Sequence, residues 1–294
     1  MPVILHHLNA DSSWLVSFSE PNYTLLLDPW FTGPQVDFHP LFSSQSHVIP
    51  SQFTSIQELT SHLTAQNRRI DAVIVSFEFS DHLHKETIEG DGGLGARTPF
   101  FALPRAGKVL RSWGRECVQD IPEADSTVKV NTDPDAELAI ELSYVTATTT
   151  YTGRRLHGAL AISFPMPEQK KGVVLCSPHG IPSQDLEQWY QRSKNKREEI
   201  VAVISGWDAI SNPWWLGGAI SLGAPSIIPF LRSLPKPSLV RYWIRTHDEH
   251  KDKRGLVGKV LRRDVWTKDM VSKEFGPELE VVELGSGEQL GIDW

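Results

Sequence analysis

The apolar run at residues 72–75, Ala-Val-Ile-Val, passes directly into Ser76-Phe77-Glu78-Phe79-Ser80-Asp81-His82-Leu83-His84, a stretch rich in side chains that bind metals or move protons. A buried strand is a rigid support, so Asp81 and His82 at its end are placed where they could converge on a metal ion or a reacting group. Such a pair after a strand more often closes a hydrogen-bonded turn. Residues 206–218 form a second candidate, because Trp207, Trp214 and Trp215 fall within one Gly-flanked segment. Rings of that size either wall a pocket for an apolar ligand or seal a core, and the residue types alone leave both open.

These groups must be carried by a scaffold, and the pattern around them describes one. Short strand-like runs at 3–8, 14–18 and 23–27 are separated by Asn-Ala-Asp and Glu-Pro-Asn, which bend the chain, so the molecule opens on antiparallel sheet. Apolar residues at Ile56, Leu59 and Leu63 have helical spacing and predict a helix over 55–66 that leads into the strand at 72–75. Further on, the pattern predicts strands at 100–103, 128–130, 138–145, 159–164, 173–176, 200–204 and 239–244, with helices at 105–113 and 184–192. Sheets twice interrupted by helices suit an α/β four-layer αββα sandwich. No internal repeat or low-complexity linker interrupts the 294 residues, so the expectation is a single domain over 1–294.

Composition removes several classes of function. With 40% hydrophobic and 22% charged residues the chain can bury a large core. A formal net charge of −7 argues against a nucleic-acid partner, whose phosphates call for a basic surface. The basic clusters at 194–197 and 251–254 read as solvated faces. No run approaches the roughly 18–20 apolar residues of a membrane span, and the first residues lack the pattern of a signal peptide. With only Cys117 and Cys176, a cytoplasmic protein with reduced thiols is expected, with no membrane partner and an oligomeric state that composition leaves open.

The order of the segments resembles the metallo-β-lactamase superfamily. Residues 76–82 are similar to its His-x-His-x-Asp-His motif, and Leu25-Leu26-Leu27-Asp28-Pro29-Trp30 to the strand that precedes it. Val174 to Gly180 resembles the strand that normally ends in Gly-Asp-Thr, and Trp243-Ile244-Arg245-Thr246-His247-Asp248 the last strand, which ends in a ligating histidine. The match runs in order from about residue 3 to residue 250.

The departures fall on one half of the family's two-metal site. Phe77 and Phe79 stand where two histidines belong, residues 144–151 offer threonines and Tyr151 in place of another, and Pro178 replaces a bridging aspartate. The resemblance therefore implies a degenerate active site in which Asp81, His82 and His247 hold at most one metal, with zinc as the fitting ion. Asp28 or Asp248 would fix a histidine tautomer, and His179 or Asp248 would move protons. Glu78, by strand alternation, points away from Phe77 and Phe79. His84, His250 and the pair His6-His7 read as structural or surface histidines.

The reading that follows is a hydrolase of a small ester, lactone, thioester or amide. Its water would be activated by the ion, and the substrate's apolar body would lie against Phe77, Phe79 and the tryptophans 207, 214 and 215. Two alternatives stay open: a metal-free acid-base enzyme (lyase, isomerase or decarboxylase), and a non-catalytic ligand-binding protein that kept the scaffold.

Overall fold

The computed structural model describes residues 3–19, 22–37, 39–90, 92–122, 126–130, 139–148, 156–194, 197–235, 240–255 and 260–293. Backbone proximity groups the chain into two compact units. One comprises Met1–Ile121, Glu249–Lys259 and Leu284–Trp294, the other Pro122–Asp248 and Val260–Glu283. The chain passes between them at several points, and composition gives no sign of the division.

In the first unit the short, almost wholly buried opening runs join a seven-stranded mixed sheet in the order Gln289–Ile292, Val3–His7, Trp14–Phe18, Tyr23–Leu27, Ala72–Val75, Phe100–Ala102, Val118–Asp120. The first four are antiparallel neighbours, and from Tyr23–Leu27 onward every pairing is parallel. Helices α1 (Ile56–Ala65), α2 (Lys85–Glu89) and α3 (Pro104–Ser112) belong to this unit. Ile56, Leu59 and Leu63, the spacing that predicted α1, are its buried face, and they pack on Leu26, Val73, Val75 and Phe100 of the sheet. Ser55 caps α1 by accepting from the Glu58 N–H.

Three polar strands add a small antiparallel sheet in the order Lys251–Arg254, Ser43–His47, Gln35–Asp37. The cluster at 251–254 is thus a strand whose first residue, Lys251, is buried, which corrects the expectation of a solvated face for that residue, while Asp252 and Arg254 are exposed. Residues 195 and 196 of the other basic cluster lie outside the described residues, as do Thr149, Thr150 and Tyr151.

The second unit repeats the plan. Its seven-stranded sheet runs Glu280–Val282, Tyr242–Arg245, Glu198–Ser205, Lys171–Ser177, Gly158–Pro165, Glu141–Thr146, Val128–Lys129. The first four strands are parallel and the rest antiparallel. Helices α4 (Ser183–Lys194), α5 (Ala224–Ser233) and α6 (Lys268–Phe275) contribute to a core built on Trp189, Trp207, Phe230 and Trp243. Each unit is therefore a mixed β-sheet flanked by helices. Among the described residues no helix is long and apolar enough to cross a membrane. Cys176 is buried, whereas Cys117 is exposed.

Leu59 is wholly buried under the first sheet, so Leu59→Ala should cost about 2–5 kcal/mol, whereas loss of the Ser55 cap in Ser55→Ala should cost about 1 kcal/mol. Urea denaturation of the two variants checks the ranking. Equal losses would mean that α1 is not packed as described.

Candidate functional site

In the first unit the site begins where the sheet changes from antiparallel to parallel. The strand Tyr23–Leu27 leads into Asp28 and its parallel neighbour Ala72–Val75 into Ser76, so both residues stand at the carboxyl ends of parallel strands, the end at which α/β sheets bind ligands. Asp28 has φ +47°, an uncommon left-handed conformation for a non-glycine residue, and its N–H donates to the Ile74 carbonyl (2.9 Å). That turn sends a fully buried carboxylate across the strand ends. Asp28 Oδ1 accepts from the Ser76 N–H (2.7 Å), and Oδ2 accepts from the Ser76 hydroxyl and from His82 Nδ1 (2.8 Å).

A carboxylate here can only accept, so His82 Nδ1 carries a hydrogen, and in the neutral ring Nε2 is the lone-pair nitrogen. Nε2 lies 4.0 Å from Asp81 Oδ1. Two donors of one tetrahedral ion, each about 2.0–2.1 Å away, stand about 3.3 Å apart, so a small swing of the Asp81 carboxylate brings the pair to ligand spacing. The Asp81 carbonyl is pinned by the Ser12 hydroxyl (2.8 Å), and the N–H groups of His82 and Leu83 both donate to the Phe79 carbonyl. Burial works against a charged His82 ring, but the neighbouring carboxylates of Asp28, Asp81 and Asp11 outweigh it and raise the pKa above the usual histidine value.

Phe77 is buried with its ring 4.9 Å from that of His82, while Phe79 is only half-buried. The strand ends at Val75, so alternation does not extend to these positions. Glu78 pairs with Arg105 of α3 at 3.4 Å. His84 is structural: it caps α2, its Nδ1 accepting from the Thr87 N–H. His6 and His7 are buried too, His7 stacking on Trp14.

In the second unit, His179 follows the strand Lys171–Ser177 and His247 follows the strand Tyr242–Arg245. Their rings meet edge to face at 4.6 Å, and a ligand atom of each lies within 4.8 Å of the other. Like Asp28, His247 sits at a strand end with positive φ, +58°. The His179 carbonyl accepts from the Leu222 N–H (2.9 Å) and from His157 Nδ1 (3.2 Å). His157 is a buried support that sequence reasoning missed, since nothing in its neighbourhood marks it.

Asp248 is committed locally. Its carboxylate accepts from the N–H groups of Trp207 and Asp208 and from Arg245 Nε (3.2 Å). Burial, then repulsion from Asp208, pushes its pKa up to about 6. Asp208 in turn takes Arg263 Nε (2.6 Å) and the Trp266 N–H (2.8 Å). The three tryptophans do not share a surface: Trp207 is enclosed in the core, whereas Trp214 and Trp215 are 87% and 63% exposed. Core packing against Trp243 and Arg245 explains Trp207, a residue the segment's composition could not separate from its neighbours.

Sequence reasoning also missed a group in the first unit, Asp11, His47 and Glu249, whose ligand atoms lie within 4.8 Å of one another. They come from three distant segments with no motif. Groups of His, Asp and Glu able to hold a divalent ion are thus present in the molecule.

No family model and no curated protein matches the chain. A solved structure that does is that of unliganded yeast PDE1, at 11% sequence identity over 99% of this chain and 99% of that one, with a TM-score of 0.54. At such low identity the likeness shows a shared fold and nothing further.

Removing the Asp28 carboxylate would strand the buried donors of Ser76 and His82. Asp28→Ala is therefore expected to lose about 3–5 kcal/mol of stability by urea denaturation, far beyond the usual cost of a turn substitution. A loss under about 1 kcal/mol would show that the carboxylate does not organise the strand ends.

Proposed function

We propose that the chain is a metal-dependent hydrolase in which Asp81, His82 and His247 share one divalent ion, zinc being the best match for two imidazoles and a carboxylate. The reading takes the four-layer αββα order and the sharing of the ion from the sequence resemblance. The observation that carries it is the Asp28–His82 hydrogen bond, which turns the His82 lone pair to the side where Asp81 lies. Orienting a ligating imidazole through a buried carboxylate is how metal sites commonly fix tautomer and direction.

Zinc bound by such a set supplies Lewis acidity and lowers the pKa of water towards about 7. His179, ring against ring with His247, is the proton carrier of this reading. Asp248 is a positioning residue, since its oxygens tie the His247 segment to the backbone of Trp207 and Asp208. Phe77 excludes water from the buried face of His82, and the half-buried Phe79 with the exposed Trp214 and Trp215 are the apolar surfaces offered to a substrate. A small ester, thioester, lactone or amide with an apolar body meets these requirements.

Protein purified without added metal should contain about one zinc per chain and turn over such substrates. His82→Ala should abolish both, and Asp28→Asn should weaken metal affinity by about 10–100-fold while the fold is retained. Elemental analysis and a panel of apolar esters, thioesters and lactones provide the readouts. Full turnover by metal-free protein would contradict the proposal, and chelator-resistant turnover lost in His82→Ala would point to acid-base chemistry without an ion.

A further inference from the structure

Lys251 is a lysine that the molecule has largely buried. It opens the strand Lys251–Arg254 and stands in register opposite His47. Its side chain is 7% exposed, its ammonium lies 2.8 Å from Asp11 Oδ2, and it sits 5.0 Å over the Trp30 ring. Asp11 is delivered there by a tight turn in which Asn9 Oδ1 accepts from the N–H groups of both Asp11 and Ser13, with Ala10 at φ +55°. Glu249 pairs with His47 Nδ1, and the His47 ring packs on Trp30 at 3.8 Å. The His47 side chain is 6% exposed, and its Nε2 is buried without a hydrogen-bond partner.

Two carboxylates and an imidazole with ligand atoms within 4.8 Å of one another form the donor set of a divalent cation site. An orphaned buried imidazole nitrogen is what such a site leaves when the ion it suits is not the cation present. We propose that Lys251 is the resident cation of this second site, its ammonium serving in the place of a metal ion bound by Asp11, His47 and Glu249. Unlike an ion, it cannot dissociate. Burial works against the ammonium, but the carboxylates of Asp11, Asp81 and Glu249 more than offset it and raise its pKa. The ammonium thus places a positive charge near Asp81 within the same unit without any metal supply. The arrangement does not depend on the hydrolytic reading above.

The test counts ions on the full-length protein after dialysis against Zn(II) or Mn(II). It is done in a His82→Ala background, so that occupancy of the Asp81–His82 pair cannot enter the difference. Shortening Lys251 leaves three donors around an emptied position, so H82A/K251A should hold about one ion more per chain than H82A, and its melting temperature should rise when that ion is added. Adding Glu249→Gln should remove both gains. An unchanged ion count in H82A/K251A would overturn the proposal. A second measurement keeps it testable without that variant: with Lys251 in place, His47→Ala should leave the metal content of the protein unchanged, and loss of an ion there would equally overturn it.

Discussion

One buried carboxylate organises the first unit's polar centre. Asp28 sits at zero exposure where the sheet changes direction, and it collects the Ser76 N–H, the Ser76 hydroxyl and His82 Nδ1. A charge so placed is costly unless every lone pair is used, and using them fixes the path of residues 76–82. The left-handed backbone at Asp28 is the local strain that aims the carboxylate inward. Without that turn the carboxylate would not reach His82, and Asp81 would have no oriented neighbour.

The second unit solves a similar problem with more charge. Asp208 and Asp248 are both buried at the ends of parallel strands and are matched by Arg245 and Arg263 together with backbone N–H groups. Such a network adds little net stability over apolar packing, but it tolerates few alternative geometries. Its effect is to hold the turn carrying His247, whose own φ is positive, so that the ring faces His179. In both units strained backbone and buried carboxylates occur at strand ends rather than in the core, which is where binding chemistry is ordinarily placed.

The strong periodicities were legible. Residues 14–18, 23–27 and 72–75 are strands with the expected bounds, and the apolar triad Ile56, Leu59 and Leu63 is the buried face of α1. The strand-to-loop transition after Val75 likewise marked Asp81 and His82, because an apolar run that stops at polar ligands is a local signal. What escaped notice is non-local or runs against composition. Ser43–His47 and Lys251–Arg254 are strands with almost no apolar alternation, defined by pairing with each other across about 200 residues. Lys251 reads as solvated in a run of Lys-Asp-Lys-Arg, and only the arrival of Asp11 and Glu249 makes it a core residue. Trp207 and Trp214 differ in burial for the same reason: chain neighbours share a composition but not an environment.

The central claim is that Asp28 holds the hydrogen of His82 on Nδ1 and thereby offers Nε2 to a metal. The most direct test is the ring ¹⁵N resonances of His82 in histidine-labelled protein, assigned with His82→Gln and recorded before and after zinc is added. Nδ1 should be protonated in both states, with a change at Nε2 alone when zinc binds. An Nε2 resonance indifferent to zinc, or a hydrogen found on Nε2 in place of Nδ1, would contradict it.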